Sequence, residues 1–229
     1  MNVLKQTALA YLEKATAKRG RILDVRAWNP ATIFEIDLHL PETNMYRWKQ
    51  VQHMKVKVAN GIYRDYSPAM WDCETSTCTL IVDAGHEGAG SAWVKQLRKG
   101  DDIVYLGIGP TPHKPADAGQ MYCLGDTSTI AHFLALEQLA DSPGRLTGTI
   151  ALQHPNHQLE FTSYFYQTSL TAIAGKEKDK CAQLLPVIAP LTDETVYVAG
   201  NNKTVVQLRK HLRQQVSFKG SIRPQGFWS

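Results

Sequence analysis

The sequence predicts two domains of different class, an antiparallel β-barrel in the first half and a parallel α/β domain in the second. Short alternating strand patterns fill the first half, whereas strand and helix patterns alternate in the second. Between them, residues 109–115 include three prolines, which fit neither a helix interior nor a central strand. The chain of 229 residues is long enough for two domains of roughly 110 residues each.

The first 20 residues carry a helical pattern. Leu4 and Leu12 fall near one face of a helix, and Gly20 follows the basic pair Lys18-Arg19. Cationic side chains followed by glycine are typical of a helix end. We therefore expect an N-terminal helix over residues 1–20.

From residue 21 onward the hydrophobic period changes to two, which is the period of a half-buried strand. Such stretches, with turn residues between them, occur at 22–26, 33–40, 54–58, 78–82 and 102–108. Short strands at this spacing are typical of a small antiparallel barrel. We place the barrel domain at residues 21–112.

After the prolines, strand and helix patterns alternate. Strands are predicted at 121–124, 146–152 and 196–199, and helices at 129–140, 167–185 and 203–215. This alternation predicts a parallel sheet with helices packed on its faces. We place the α/β domain at residues 118–229.

The composition narrows the functional classes. With 43% hydrophobic and 20% charged residues, the chain is typical of packed globular proteins. The net charge of +4 is too small to predict nucleic-acid binding, but it suits an anionic small ligand. No apolar run approaches the ~20 residues of a membrane span, and no secretion signal is evident, so we expect a cytoplasmic protein without membrane contact. Its histidines and cysteines form no metal-binding pattern, so no metal site is predicted.

The first candidate site is the string Tyr63-Arg64-Asp65-Tyr66-Ser67-Pro68. In a strand, Arg64 and Tyr66 point to the same side of the sheet. Arg64 could bind a phosphate through paired N–H donors, while the Tyr66 ring packs on a flat heterocycle and the Ser67 hydroxyl bonds its edge. The alternative is that Arg64 and Tyr66 only cover the barrel surface.

The second candidate is a glycine-rich turn between a strand and a short helical pattern that starts at Ser91. Glycines let backbone N–H groups approach a phosphate, so Gly88, Gly90 and Ser91 form a candidate pyrophosphate site. The candidate cofactor residues of the same turn also include Asp83, Gly85 and His86. The alternative is a plain loop that Ser91 caps.

The third candidate lies in the second domain, where Gly125, Asp126 and Thr127 connect a strand to a helix and Gly200 holds the equivalent place later. Ligands of open α/β sheets bind outside the carboxyl ends of the strands, so both turns border the expected site. The alternative role for Asp126 or Thr127 is helix capping.

Taken in order along the chain, these strings resemble the siderophore-interacting protein family, a branch of the ferredoxin-reductase-like flavoenzymes. The likeness covers residues 21 to about 228. The motifs that carry it are Gln52-His53-Met54-Lys55-Val56, Arg64-Asp65-Tyr66-Ser67, the segment from Gly85 to Trp93, Lys99-Gly100-Asp101-Asp102, Gly107-Ile108-Gly109-Pro110, Leu124-Gly125-Asp126, Tyr197-Val198-Ala199-Gly200 and Gly226-Phe227-Trp228.

The resemblance implies a flavin-binding barrel followed by a nicotinamide-nucleotide domain, with FAD as cofactor and NADPH or NADH as electron donor. By the family pattern, FAD would contact Arg64 through its phosphates, Tyr66 and Ser67 through its isoalloxazine and ribityl parts, and the Gly88–Ser91 turn through its pyrophosphate. Asp65 belongs to the same motif. We expect Ser67 to be the catalytic residue, because its hydroxyl could polarise the reacting flavin nitrogen.

The resemblance also implies the substrate, a ferric siderophore or other anionic ferric chelate that is reduced inside the cell. Lys203, Lys219 and Arg223 are the candidate residues for attracting it. The sequence departs from the family pattern at Ala84, where a histidine is common, and at Ala69, where a second arginine is common.

Two other functions stay open at this point. One is a reductase for a small redox protein such as a ferredoxin or flavodoxin, because an acidic partner suits a basic surface. The other is a flavin- or nucleotide-binding protein that lacks turnover and acts as a sensor or assembly factor.

Overall fold

The computed structural model describes residues 17–142, 144–175 and 179–228. The chain divides into two compact units between Thr111 and Pro112. The domain ranges expected from the sequence, residues 21–112 and 118–229, stay predictions.

The first unit is an antiparallel sheet with one short helix. Its elements are β1 Lys18–Ala27, β2 Ile33–His39, β3 Gln52–Ala59, β4 Ile62–Tyr66, β5 Pro68–Asp72, β6 Thr77–Asp83, α1 Ala89–Val94 and β7 Asp102–Pro110. The strand order is β4-β3-β7-β1-β2-β6-β5, and every neighbouring pair is antiparallel. The two edge strands, β4 and β5, are separated in sequence only by Ser67. The sheet therefore curls until its edges meet, as the predicted barrel requires.

The barrel core follows the alternation of its strands. In β3, Met54 and Val56 are fully buried, whereas Lys55 between them is exposed. Burying one such apolar side chain contributes roughly 1.5–3 kcal/mol. The α1 segment closes the core, because Val94 and Leu97 join the same buried cluster.

The second unit is a parallel sheet with helices. Its elements are β8 Met121–Asp126, α2 Ile130–Gln138, β9 Leu146–Leu152, α3 Pro155–Tyr164, β10 Leu170–Ala174, α4 Lys180–Ile188, β11 Thr195–Asn201, α5 Asn202–Gln214 and β12 Ser221–Trp228. The strand order is β10-β9-β8-β11-β12, with all neighbours parallel. The order reverses direction between β8 and β11, which makes their carboxyl ends the switch point of the sheet.

The predicted N-terminal helix falls mostly on residues 1–16, which lie outside the described residues. Its predicted end was wrong, because Lys18 to Gly20 belong to β1. Lys18 is paired with Tyr105 and Gly20 with Ile103 of β7. Backbone pairing with a distant strand therefore overrides the local helix-end signal.

The segment between β9 and α4 was also predicted wrongly. The expected helix at 167–185 is in fact the strand β10 followed by α4. The preceding turn around His154 and His157 begins α3, with the His154 side chain accepting a hydrogen bond from the Asn156 N–H and Pro155 in the first turn. Proline suits that position because its missing N–H would have no helical partner there.

A buried histidine pair joins α2 to the start of the second unit. Nδ1 of His113 lies 2.8 Å from Nε2 of His132, and the rings of Tyr197 and Phe227 pack against the pair. Burial lowers the pKa of His113 to about 4, and the nearby Arg223 charge also lowers it. Burial holds the pKa of His132 well below its usual range, with His113 acting in the same direction. Both rings are therefore neutral at pH 7.

This pair predicts acid sensitivity of the second unit. In the unfolded chain His113 takes up a proton near its ordinary pKa of 6.5, whereas in the folded protein it does so only near pH 4. The free energy of unfolding therefore decreases as the pH falls from 6.5 towards 4. We expect His113 alone to cost about 2 kcal/mol of unfolding free energy at pH 5. Urea unfolding at pH 8 and pH 5 measures the loss. His132→Gln should flatten this pH dependence, whereas exposed His211→Gln should retain it; equal profiles in both variants would contradict the assignment.

Candidate functional site

Arg64 and Tyr66 lie on one face of β4. Their partners in β3 are Val56 and Met54, which are both in the barrel core. Because directly paired residues of antiparallel strands point to the same face, Arg64 and Tyr66 face the side of the barrel that α1 covers.

Tyr66 is held against α1 by an aromatic stack and a glycine. Its ring stacks on Trp93 with centroids 5.8 Å apart and planes 19° from parallel. A Cβ atom at Gly90 would lie 2.6 Å from the Tyr66 hydroxyl oxygen, so only glycine permits this approach. Burial raises the pKa of Tyr66 to about 12, against the opposing effect of the Arg64 charge. The phenol therefore keeps its proton and can donate a hydrogen bond.

Two further hydrogen-bond donors, Arg64 and Ser91, belong to β4 and α1, the elements that hold Tyr66. The exposed Arg64 donates through Nη1 to the Tyr63 carbonyl at 2.8 Å, and no described carboxylate forms an ion pair with its guanidinium. Ser91 is buried, and its Oγ has no hydrogen-bond partner among the described residues. We name Arg64, Tyr66, Gly90 and Ser91 the donor cradle. Its unpaired donors favour an anionic, oxygen-rich ligand.

The other predicted site residues of the first unit differ in position, and Asp65 points away from the donor cradle. The Asp65 side chain is on the opposite face of β4, where its Oδ1 lies 3.0 Å from Lys55 Nζ. Asp83 accepts a hydrogen bond from the Gly85 N–H at 2.9 Å and so closes the turn. His86 is exposed in that turn, Gly88 precedes α1, and Ser67 links β4 to β5.

In the second unit, Asp126 joins the carboxyl ends of two strands. Its Oδ1 accepts hydrogen bonds from the Ser128 N–H and hydroxyl at 3.0 and 2.5 Å, and its Oδ2 accepts one from the Asn201 N–H at 2.8 Å. Trp228 at the end of β12 donates through Nε1 to Ser128 Oγ at 3.2 Å. The structure therefore brings the predicted Gly125–Thr127 and Gly200 turns together at the switch point. It also gives Asp126 the capping role that the sequence left open.

Gly200 is required by this arrangement. Its φ is +113°, and a Cβ there would lie 2.5 Å from Asp126 Oδ2. Asn201 Oδ1 accepts hydrogen bonds from the Lys203 and Thr204 N–H groups and so begins α5. The backbone at Gly200 and the side chains of Asp126 and Asn201 therefore fix one another's positions at the switch point.

The three basic residues predicted to attract the substrate do not cluster. Lys203 follows the carboxyl end of β11, whereas Lys219 precedes β12 at the amino ends of the strands. The length of β12 separates them by roughly 23 Å at about 3.3 Å per residue. Arg223 lies mid-strand, where it donates to the Lys114 carbonyl at 3.1 Å and the Tyr197 hydroxyl at 3.2 Å.

The described part of the chain holds neither a metal-binding cluster nor a helix that could span a membrane. Within residues 17–142, 144–175 and 179–228, no three histidine, cysteine or acidic side chains come close enough to bind a metal ion. Nor does any helix in those ranges have the length and apolar character to cross a membrane.

No protein-family model and no curated protein sequence matches the chain, but solved structures do. The siderophore-interacting protein from Acinetobacter baumannii is similar with a TM-score of 0.75, covering 93% of this chain and 90% of that one at 15% identity. The siderophore-interacting protein from Aeromonas hydrophila has a TM-score of 0.68, 92% coverage of both chains and 18% identity. The ferredoxin NADP+ reductase from Neisseria gonorrhoeae, solved with bound FAD and NADP, has a TM-score of 0.67, coverage of 92% and 98%, and 17% identity.

The fold is ferredoxin-reductase-like. This likeness confirms the fold class predicted from the sequence, and at the level of fold it confirms the resemblance to siderophore-interacting proteins. Trp93, which the sequence marked only as the end of a family motif, supports Tyr66 in this ferredoxin-reductase-like barrel. Its position in the short helical pattern after the glycine-rich turn was the signal for this role.

Two glycine-to-alanine variants test whether Gly200 is required at the switch point of this ferredoxin-reductase-like fold. Gly119→Ala adds a side chain at φ +80° in open space and should cost about 1 kcal/mol of unfolding free energy. Gly200→Ala adds a clash with Asp126 and should cost about 3 kcal/mol or more. Thermal and urea unfolding measure both. Equal losses would show that the Asp126 contact adds no constraint.

Proposed function

We propose that this protein is a flavin-dependent NAD(P)H oxidoreductase that reduces ferric siderophores or other anionic ferric chelates in the cytoplasm. The observation that carries the proposal is the donor cradle, which lies in a fold shared with a reductase solved with FAD and NADP. The similarity to two siderophore-interacting proteins supports the ferric substrate.

The donor cradle fits FAD. The two phosphates of FAD carry negative charge, and Arg64 offers a guanidinium that no described carboxylate pairs with. A buried hydroxyl without a partner costs about 1–3 kcal/mol, and a phosphate oxygen would supply the acceptor that Ser91 lacks. The first N–H groups of α1 have no helical acceptor and would add further donors beside Gly90.

In this proposal, the second unit binds NADPH or NADH at its switch point. Gly125, Thr127 and Gly200 lie at the carboxyl ends of β8 and β11, which is where open α/β sheets bind nucleotides. Asp126 keeps these turns in place through its hydrogen bonds.

FAD held in this site would supply the chemistry, namely hydride acceptance from NAD(P)H and single-electron donation to Fe(III). The protein's residues then bind and orient. Arg64 and Ser91 hold phosphate oxygens, the Tyr66–Trp93 stack fixes the ring side of the cradle, and we assign the Ser67 hydroxyl a hydrogen bond to the edge of the isoalloxazine. Fe(II) binds hard oxygen ligands more weakly than Fe(III), so reduction releases the iron.

A second acceptor is supported by the charge of the C-terminal region. Residues 195–229 contain six Lys or Arg residues and no Asp or Glu. A surface with this charge attracts an acidic redox protein as readily as an anionic chelate. A binding protein without turnover is the remaining alternative.

Absorbance spectroscopy of the purified protein tests the proposal. We expect FAD bands that bleach when NADPH or NADH is added anaerobically and return when a ferric siderophore is added. Recovery with an acidic ferredoxin but not with the ferric siderophore would favour the redox-protein acceptor. A flavoprotein that neither nucleotide bleaches would favour the binding role, and a protein that takes up no FAD would overturn the proposal.

Arg64→Ala tests the phosphate contact. Losing a charge-assisted hydrogen bond costs about 1.5–3 kcal/mol, so the Kd for FAD should rise roughly 10- to 150-fold. Fluorescence titration of the apoprotein with FAD measures the change. Lys55→Ala removes an equal charge from the opposite face of the barrel and should leave FAD affinity unchanged. Unaltered affinity in Arg64→Ala would remove this residue from the site.

Ser67→Ala tests the catalytic assignment. We expect the rate of flavin reduction in stopped-flow to fall about 10- to 100-fold while FAD content stays normal, because a hydrogen bond that strengthens during the reaction affects rate more than binding. Ser67→Thr keeps the hydroxyl and should restore most of the rate. A reduction rate in Ser67→Ala equal to that of the unaltered protein would rule out the assignment.

A further inference from the structure

A pocket of about 500 Å³ opens in the barrel unit at a place that the proposed function does not use. It lies beside Gln52 at the start of β3, where Gln52 pairs with Pro110 of β7. Arg64 of the donor cradle pairs with Val56, four residues further along β3 and so roughly 13 Å away. Neither the donor cradle nor α1 contributes a residue to the pocket.

The floor of the pocket is rigid and partly aromatic. Trp48 is buried, and its ring packs edge-on against Trp71 with centroids 5.1 Å apart. Tyr105 is fully buried, and its hydroxyl lies 2.9 Å from Thr43 Oγ1. The accessible part of Trp48 therefore forms a preformed surface for a flat apolar group, while the fully buried Tyr105 supports the floor from within.

The polar part of the floor is fixed as well. Buried Gln52 donates through Nε2 to the Gln50 carbonyl at 2.7 Å, and both residues line the pocket. A site that is ordered before binding loses less conformational entropy when its ligand arrives.

The rim of the pocket carries positive charge only. Lys18, Arg47 and Lys49 line it, and none of its lining residues is acidic. Lys18 donates to the Glu42 carbonyl at 3.1 Å. Among the residues that the structure describes, no carboxylate forms an ion pair with Arg47 or Lys49. Two cations are therefore available to a ligand.

We propose that this pocket binds a small organic anion, with a flat apolar body against Trp48 and Ile108 and a carboxylate or phosphate group between Arg47 and Lys49. Its volume lies within the usual range for small-molecule sites and suits a molecule of one or two rings. Guanidinium and ammonium groups bind both kinds of anion, so the shared feature of the ligand is its negative charge.

Isothermal titration calorimetry with three probes of the same size tests this site: 2-naphthoate, 2-naphthyl phosphate and the neutral 2-naphthalenemethanol. We expect one or both anions to bind one per chain with a Kd below about 1 mM, and the neutral alcohol to bind at least tenfold more weakly. The stronger anion identifies the ligand group as carboxylate or phosphate. No saturable binding of either anion, or equal binding of the alcohol, would overturn the proposal.

Paired variants locate the binding. Arg47→Gln/Lys49→Gln should weaken anion binding about tenfold or more, since two charged contacts are lost. Lys210→Gln/Arg213→Gln makes the same change in net charge on the exposed face of α5 and should leave affinity unchanged. Circular dichroism checks that both variants fold. Equal effects of the two pairs would attribute binding to overall charge and overturn the site. The measurement needs neither flavin nor turnover, so its outcome is independent of the proposed reductase activity.

Discussion

The single residue between β4 and β5 is the constraint on which the barrel unit depends. These strands are the two edges of one sheet, and Ser67 alone connects them, so the sheet has to curl until its edges meet. The curl also determines the site. It places the face of β4 that carries Arg64 and Tyr66 against α1, where the Gly90 backbone and the Trp93 ring receive Tyr66. A longer link would permit an open sheet with this face in solvent.

In the parallel sheet, one buried carboxylate has the comparable role. Strand ends are usually mobile, but Asp126 accepts hydrogen bonds from its own turn and from the end of β11. Gly200 makes room for that carboxylate, and Trp228 reaches the same turn from β12. A binding edge made of backbone requires such a frame, because N–H groups recognise phosphates only when their positions are maintained.

Electrostatics connect the proposed activities of the two units. Burial keeps Tyr66 protonated and the His113–His132 pair neutral, so these three groups add donors and acceptors but no net charge. The available charge lies at the surface and is mainly positive, at the donor cradle, the rim of the pocket and the acid-free C-terminal region. All three places favour anionic ligands, because a ligand can approach their positive charges without breaking an ion pair of the fold.

The sequence alone determined the two-domain organisation, most strands and the residues of the candidate site. Alternating hydrophobicity marks strands such as β2, and the glycines at 85, 88 and 90 mark a turn where backbone can approach a ligand. Only the tertiary structure decided where β1 begins, that residues 170–174 form an edge strand, and that Lys203, Lys219 and Arg223 lie apart. Hydrophobic periodicity in the sequence indicates which side of a helix or strand is buried. Pairing register and the packing of distant residues depend on contacts far apart in sequence, and no local pattern records them.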